Sequence, residues 1–243
     1  MYSEKFLISS NEVDPFLDLS IPGLFRLLQA VATTGVASIG AGKEETTDKG
    51  YLWVLTRMKV KIAKMPRYMD EITLTTYPGE QIGCFYGRHF FAKDKDGTIL
   101  FRVSSTWALL HEGDHKPVMR SPFPHPLTPE KDPDELPRPE KLLPPEDSHE
   151  KERRRVTYSM CDLNGHLNNT RYLELIVDAK DRSFYKEYTP KEITLNFEKE
   201  IQEGEEVSLC LKEENENSYS VIGKVADEER FLAKLQFAKR EER

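Results

Sequence analysis

The first half of the chain shows one helical repeat of apolar residues, followed by several strand-like runs. A capping hydroxyl at Ser20 and an early proline at Pro22 are typical of a helix start. The apolar positions that follow recur at helical spacing, at Leu24, Leu27, Leu28 and Val31. We therefore predict a helix over 22–40. Strand-forming residues dominate afterwards, which predicts strands over 51–63, 71–77, 84–93 and 99–111.

Proline recurs through the middle of the chain, from Pro117 to about Pro145, where it alternates with charged residues. Proline lacks the N–H that a sheet requires, so this segment predicts an extended linker on the surface. After the linker the first pattern returns. It predicts a helix over 168–185 and strands over 192–199, 206–212, 219–226 and 231–239.

The two patterned regions indicate an internal duplication. Residues 70–74 resemble residues 205–209, and the turn at 94–97 has a counterpart at 227–230. Each half is one helix followed by antiparallel strands, and such a sheet needs a helix on its apolar face. We expect an α+β fold with an N-terminal domain over 1–118, a linker over 119–150 and a C-terminal domain over 151–243.

Polar side chains concentrate in one short segment of the second half, over 161–172. Three of them are suited to carbonyl chemistry and alternate along the chain: Asp162, Asn164 and His166. An extended backbone would point all three in one direction. Asn168 and Asn169 then lead into an apolar run that indicates a helix start. Polar groups beside a helix N-terminus can bind and polarise a carbonyl oxygen, so this segment is the main candidate site.

The composition narrows the class of protein. The chain is 38% hydrophobic and 32% charged, which is typical of globular proteins, and its net charge of -7 argues against a general nucleic-acid binder. The N-terminus lacks the pattern of a signal peptide and no apolar run is long enough to cross a membrane, so we expect a cytoplasmic protein. Three cysteines without metal-site spacing fit reduced thiols, and no metal site is predicted.

The order of helix, strands and linker, followed by Asp-x-Asn-x-His-x-Asn-Asn-x-x-Tyr, resembles the acyl-ACP thioesterases of plants and bacteria. The likeness spans nearly the whole chain and includes residues 53–57 and 102–109 of the first half. It implies two tandem hotdog domains, each a helix packed on an antiparallel sheet. It also implies hydrolysis of the thioester that joins a fatty acyl chain to acyl carrier protein, which releases free fatty acid and ends chain elongation.

The resemblance assigns the catalytic residues. Asp162, Asn164 and His166 match the active-site triplet of the family, and Glu200 matches a further carboxylate on a later strand. The cysteine that follows this carboxylate in plant members is Ile201 here, so a thiol nucleophile at that position is excluded. Thioester hydrolysis needs a base and donors for the oxyanion. Glu200 and Asp162 are both candidates for the base, and we expect direct attack by water.

Substrate contacts are expected from both halves. Asn168 and Asn169 lie beside the triplet, and the resemblance suggests that the first half supplies the acyl cavity, with Leu24, Leu28 and Trp53 as candidates. Acyl carrier protein is acidic, so its docking patch should be basic. The candidates for that patch are Lys59, Lys61, Lys64, Arg67, Arg153, Arg154 and Arg155.

Two other functions stay open at this stage. One is an acyl-CoA thioesterase of the same fold, and the other is a non-catalytic module that binds acyl chains. We expect no organic cofactor, because a thioester is already activated. The expected partner is acyl carrier protein, with no nucleic acid and no membrane span. The chain is expected to be a monomer or a homodimer, since exposed sheet edges can pair.

Overall fold

The computed structural model describes residues 1–119, 121–123 and 125–240. Arg120 and Pro124, in the predicted linker, and residues 241–243, in the predicted C-terminal domain, lie outside the described residues. The helices and strands follow the predicted order, with one additional strand at the start of each half and two helices in place of the one predicted in the second half.

The first half contains one long helix and five strands. These are β1 (Tyr2–Leu7), α1 (Ile21–Ala37), β2 (Tyr51–Ile62), β3 (Glu71–Ile82), β4 (Phe85–Asp94) and β5 (Ile99–His111), with 3-10 turns at Lys43–Glu45 and Thr47–Lys49. Helix α1 begins near the predicted position because the Ser20 hydroxyl accepts a hydrogen bond from the N–H of Gly23, at 3.0 Å. Its apolar stripe is buried as predicted, and Leu24 and Val31 are fully enclosed.

The second half repeats this arrangement. It contains β6 (His149–Arg155), a 3-10 turn at Tyr158–Met160, α2 (Asn169–Val177), α3 (Arg182–Glu187), β7 (Tyr188–Phe197), β8 (Glu206–Asn215), β9 (Ser218–Val225) and β10 (Glu228–Lys239). The single helix predicted over 168–185 is wrong. The chain leaves the helix after Val177, and the carboxylate of Asp181 accepts the N–H of Phe184 at 3.2 Å, which caps a second helix.

The ten strands form one antiparallel sheet in the order β1-β3-β4-β5-β2-β7-β10-β9-β8-β6. From each outer edge to the centre, the two halves have equivalent strands in the same order. At the centre β2 pairs with β7, from Arg57 opposite Asn196 to Lys61 opposite Glu192. The edge strand β6 was not predicted because its residues are almost all charged; charges of this kind protect a free sheet edge.

The larger of two apolar clusters among the described residues runs through both halves, on the side of the sheet that carries α1 and α2. Met58 and Val60 of β2 belong to it, as do Ile193 and Leu195 of β7. Successive side chains of a strand point to opposite faces, so the residues between them lie on the other face. The two helices therefore share one core across the central strand pair.

The proline-rich segment lies on the opposite face of the sheet. The N–H of Leu142 donates to Oδ1 of Asn196 on β7 at 2.6 Å, and Nζ of Lys59 on β2 lies 2.9 Å from Glu140. Farther out, Arg102 of β5 pairs with Asp132 at 2.8 Å. The segment is thus bound to strands of both halves at residues 132, 140 and 142.

Candidate active site

The polar segment is a tight turn, and not the extended strand expected from its alternation. The N–H of Asp162 donates to the carbonyl of His166 at 2.8 Å, and Gly165 adopts a left-handed conformation with φ 76°. Oδ1 of Asp162 accepts the N–H of Asn164 at 2.8 Å and that of His166 at 3.4 Å. The Asp162 carboxylate therefore folds the backbone, a role that short polar side chains commonly have in turns.

Both ends of this turn are fixed to neighbouring elements. Oδ1 of Asn168 accepts the N–H of Thr170 at 2.9 Å and caps α2, so the Asn168 side chain has a structural role. The N–H of Leu167 donates to the carbonyl of Ile201 at 2.7 Å. The turn is consequently held against the segment that follows β7, which is where Glu200 lies.

Glu200 lies in the loop after β7, and not on the strand as predicted. Arg230 of β10 holds this loop, since its guanidinium donates to the Glu200 carbonyl at 3.2 Å and pairs with Glu205 at 3.4 Å. Among the described residues, the Glu200 carboxylate accepts no hydrogen bond from the protein. Its recorded ion-pair partner is His115, with Nδ1 3.6 Å from Oε1. The Glu200 carboxylate is thus less engaged with the protein than that of Asp162.

The candidate residues border a cleft of about 300 Å³ between the two halves. Its lining from the first half is mostly apolar and comprises residues 52–56, Cys84, Phe85, Ala108, Leu110, His115 and Pro117. Its lining from the second half is mostly polar and comprises Asp162, Asn164, His166, Leu167, Asn169, Tyr172 and residues 197–200. The four predicted catalytic residues therefore share one cleft.

The predicted substrate-binding residues are placed less uniformly. Asn169 and Trp53 line the cleft, and Nε1 of Trp53 is held by the carbonyl of Ala41 at 3.1 Å. Leu28 lines a narrow apolar gap that adjoins the cleft, with a volume of about 20 Å³. Leu24 is fully buried and lines neither space.

His115 and Tyr172 also line the cleft, and neither was identified as a functional candidate from the sequence. His115 lies in the loop after β5 and reaches Glu200 from the other half of the molecule; the sequence gives no signal for a contact between such distant residues. Tyr172 packs edge-on against Phe197, with ring centroids 5.2 Å apart. Burial raises the pKa of the Tyr172 phenol, so it stays protonated and serves as packing.

Cys161, which directly precedes the turn, is a poor candidate for a nucleophile. Burial, together with the charges of Glu203 and Asp162, raises the pKa of the Cys161 thiol, which disfavours the thiolate. The side chain of Ile201 is fully buried in the core. Within the described part of the chain, no group of three His, Cys, Asp or Glu residues could hold a metal ion. No helix there is long and apolar enough to cross a membrane.

Comparison with known proteins identifies relatives along most of the chain. Oleoyl-acyl carrier protein thioesterase 2, chloroplastic, from Arabidopsis thaliana is 26% identical over 89% of this chain and 64% of its own length. Palmitoyl-acyl carrier protein thioesterase, chloroplastic, from Gossypium hirsutum is 24% identical over 82% of this chain and 52% of its own length. The chain therefore spans less than two thirds of the length of these relatives.

Solved structures confirm the fold class. The crystal structure of an acyl-ACP thioesterase from Bacteroides thetaiotaomicron has a TM-score of 0.85 and 25% identity, and covers 98% of this chain and 97% of that one. The 12:0-ACP thioesterase from Umbellularia californica has a TM-score of 0.84 at 19% identity, over 98% and 97% of the two chains, which shows a shared fold. The predicted α+β class and tandem hotdog arrangement are confirmed.

Two family models match the chain in sequence order. The acyl-ACP thioesterase N-terminal domain matches residues 1–120, and the acyl-ACP thioesterase C-terminal domain matches residues 144–239. Together they span both halves of the fold, including the turn at Asp162 and the loop at Glu200. The chain belongs to the acyl-ACP thioesterase family.

Proposed function

We propose that this protein hydrolyses the thioester of fatty acyl-[acyl carrier protein], releasing free fatty acid and ending chain elongation. The observation that carries the proposal is the convergence of Asp162, Asn164, His166 and Glu200 on one cleft. Family membership supports the same reaction, and the plant relatives bear the names of acyl-carrier-protein thioesterases. The four residues retain the hydrogen-bonding and acid–base groups that hydrolysis needs.

Glu200 is our candidate for the general base. Its carboxylate borders the cleft without a protein hydrogen bond among the described residues, whereas Oδ1 of Asp162 is occupied by two backbone N–H groups. A carboxylate that is open to the cleft can take a proton from water. In this proposal Asp162 shapes the turn that presents Asn164 and His166, and its own carboxylate does not receive the proton.

The reaction proceeds in two steps. Water loses a proton to Glu200 as its oxygen bonds to the thioester carbon, and the carbonyl oxygen becomes an oxyanion. Donors from Asn164 or His166, with Asn169 at the positive end of α2, stabilise that charge. The carbon–sulfur bond then breaks, and Glu200 returns the proton to the departing thiolate. The products are a fatty acid and the thiol of the carrier arm, so no organic cofactor is required.

The acyl chain is proposed to enter the first half. The apolar gap beside α1 shares Leu55 and Asn169 with the cleft, and Leu28 lines it. Its volume of about 20 Å³ is close to the space that one water molecule occupies. An acyl chain that takes this path must displace side chains, while Trp53 and its neighbours provide apolar contact in the cleft itself.

Acyl carrier protein remains the proposed partner, with fewer available docking cations than the sequence suggests. Lys59 lies 2.9 Å from both Glu140 and Glu192, and such pairs weaken the positive field. Lys64 and Arg155 form no ion pair within the described part and are the remaining candidates. We also propose that the protein is cytoplasmic and forms a monomer or a homodimer.

The first experiment compares one acyl chain presented on acyl carrier protein and on CoA to the purified protein. We expect a higher kcat/KM with the carrier protein. A preference for CoA would contradict the proposed substrate. Binding of the acyl chain without turnover would contradict the proposed enzyme and favour an acyl-binding module.

The second experiment tests the base. We expect Glu200→Gln to lower kcat by roughly 10² to 10⁴, the usual contribution of a general base. Glu198→Gln is the matched control, because Glu198 lies in the same loop, borders the same cleft and is exposed. Near-normal turnover by Glu200→Gln would remove Glu200 from this role.

A further inference from the structure

His115 occupies an unusual place in the loop that follows β5. Its backbone is left-handed, with φ 53°, and its N–H donates to the carbonyl of His111 at 2.9 Å. The N–H of His111 in turn donates to the carbonyl of Lys116 at 2.9 Å, which closes the loop. Residues other than glycine seldom hold this conformation unless the surroundings fix it, and such positions cluster at functional sites.

The loop brings the imidazole into the cleft from the half opposite to the predicted catalytic residues. Nδ1 of His115 lies 3.6 Å from Oε1 of Glu200, and the His115 ring lies 6.5 Å from that of His166 at an interplanar angle of 79°. A distance of 3.6 Å is slightly too long for a hydrogen bond. A small side-chain rotation would close it, and catalytic contacts commonly tighten when substrate binds.

The internal symmetry of the fold supplies a second, independent observation. β5 is the last strand of the first half and β10 is the last strand of the second. Arg240, directly after β10, reaches back to the first half, where its guanidinium hydrogen-bonds to Asp18 and lies 3.6 Å from Asp14. Each half therefore sends a basic side chain from the end of its last strand to a carboxylate of the other half.

We propose that His115 is a positioning residue for Glu200, an inference that rests on the proposed function. The Glu200 side chain is 40% exposed and has several rotamers open to it. An imidazole N–H beside Oε1 favours the rotamer that keeps the carboxylate in the cleft, and leaves the other oxygen to accept the proton from water. The first half thus contributes directly to the acid–base machinery and not only to acyl binding.

The test uses two substitutions that suit a left-handed backbone. His115→Gly removes the side chain at a conformation that glycine adopts freely, and His115→Asn can place an amide N–H near the position of Nδ1. With acyl carrier protein loaded with one acyl chain, we expect His115→Gly to lower kcat about 10-fold. KM should stay within threefold. His115→Asn should restore most of kcat, and added imidazole should partly rescue His115→Gly.

A double variant separates positioning from a general structural effect. If His115 acts through Glu200, His115→Gly should add little to the loss caused by Glu200→Gln, because the two groups act as a unit. His111→Asn is the control, since His111 ends β5 beside this loop and its ring lies 5.3 Å from that of Tyr51, at an interplanar angle of 50°. It should leave kcat unchanged.

The outcomes distinguish this role from the proposed function. If Glu200→Gln abolishes turnover and His115→Gly leaves it intact, the role of His115 alone is overturned. An equal loss from His115→Gly in the wild-type and Glu200→Gln backgrounds would also overturn it. Absence of turnover by the wild-type protein on acyl carrier protein would overturn the proposed function, and the role of His115 with it.

Discussion

The chain enters helix α1 in the first half and helix α2 in the second through the same turn, built from different side chains. In the first half Oδ1 of Asp14 accepts the N–H groups two and four residues ahead, at 2.8 and 3.1 Å. In the second half Oδ1 of Asp162 does the same at 2.8 and 3.4 Å. The residue three positions ahead is left-handed in both turns, with φ 67° at Leu17 and φ 76° at Gly165.

The equivalence extends to the loop after the central strand. A backbone hydrogen bond of 2.7 Å ties each turn to that loop, to the carbonyl of Pro66 in the first half and of Ile201 in the second. The residue before each acceptor is Met65 in the first half and Glu200 in the second. The backbone thus repeats, while the chemistry differs. Phe16, Asp18 and Met65 stand where the second half has Asn164, His166 and Glu200.

The two turns also differ in their exposure. The first-half turn is closed, because Asp18 is only 2% exposed and pairs with Arg240, whose guanidinium lies 5.1 Å from the ring of Phe16. The second-half turn is open to the cleft, where the half-exposed imidazole of His115 lies across from Glu200. A duplicated backbone turn is therefore not sufficient for a functional site. Its side chains determine whether the turn forms a closed structural contact, as in the first half, or borders an open cleft, as in the second.

The largest expected difference between the halves follows from removing the aspartate of each turn. Asp162→Ala and Asp14→Ala each lose two hydrogen bonds to backbone N–H groups, so each should lower the free energy of unfolding by about 1–3 kcal/mol. Asp162→Ala should also lower kcat/KM roughly 100-fold, because it displaces Asn164 and His166. Urea unfolding and turnover on acyl carrier protein measure the two effects.

The pair of variants serves as its own control. Asp14→Ala should retain kcat/KM within about twofold of the wild type, measured at a temperature where both variants stay folded. An equal loss of activity in both variants would show that the turns act on catalysis only through overall stability. The functional contrast between the halves would then fail.

The next largest effect is expected at the closed turn of the first half. Arg240→Ala removes one cation from the buried Asp18 carboxylate, which also lies 3.5 Å from Nε of Arg67. Breaking a buried ion pair of this kind is expected to cost about 3 kcal/mol of unfolding free energy. Activity should stay near normal. Urea unfolding is the measurement, and a loss below about 1 kcal/mol would contradict a structural role for the ion pair between Asp18 and Arg240.

Arg182→Ala is the matched control for that experiment. Arg182 is exposed and lies over the same ring of Phe16, at 5.8 Å, without an ion pair among the described residues. Its loss should cost less than about 1 kcal/mol. A large effect of Arg182→Ala would place the stabilisation in the contacts with Phe16 and not in the carboxylate of Asp18.

Periodicity predicted much of the fold, since the helix stripe and the long strands carry their apolar pattern locally. The edge strands β1 and β6 escaped prediction because pairing at a sheet edge needs no apolar alternation, and β6 is almost wholly charged. The helix break after Val177 was not predicted, because apolar residues resume at Phe184 and Tyr185 after a short polar stretch. The linker was predicted to lie on the surface, but its hydrogen bonds to Asn196 are long-range contacts that composition does not reveal.

In the candidate site, too, some features were predicted from local sequence and others were not. Asp162, Asn164 and His166 were predicted from one short motif, although the turn that joins them depends on a left-handed Gly165 and not on strand alternation. His115 could not be predicted, because its contact depends on how two distant loops meet. The turn at Asp14 was also missed. Its residues share little with those at Asp162 beyond the aspartate itself, so only the backbone hydrogen bonds reveal the repeat.

Titration offers a third way to separate the halves. In the first half, burial lowers the pKa of His89, whose Nδ1 has no partner among the described residues and whose ring stacks on Tyr77 at 5.3 Å. In the second half, His149 and His166 are at least partly exposed. A lowered folded pKa means that the unfolded chain binds more protons. The stability contributed by neutral His89 is therefore present above about pH 6.5 and is lost as pH falls through the folded pKa.

We expect His89→Phe to weaken the pH dependence of unfolding free energy between pH 7 and pH 5, because Phe keeps the stacking on Tyr77 and cannot titrate. Urea unfolding at several pH values measures this slope. His149→Gln is the control and should leave the slope unchanged, since His149 is exposed on the edge strand β6. An unchanged slope in His89→Phe would place the acid sensitivity elsewhere in the molecule.

The smallest expected effect concerns the left-handed residue of each turn, and its sign should differ between the halves. A Cβ added at Gly165 meets no atom within 4 Å, so Gly165→Ala should lose about 1 kcal/mol from the backbone conformation alone. Leu17→Gly relieves the strain of the left-handed backbone at a side chain that is 50% exposed. It also costs about 0.5–1 kcal/mol, because glycine loses more conformational entropy on folding. The net change for Leu17→Gly should be close to zero or slightly stabilising. Thermal unfolding of both variants measures the difference. A clear loss from Leu17→Gly would mean that the leucine side chain stabilises the closed turn by packing, a contribution that Gly165 lacks in the open one.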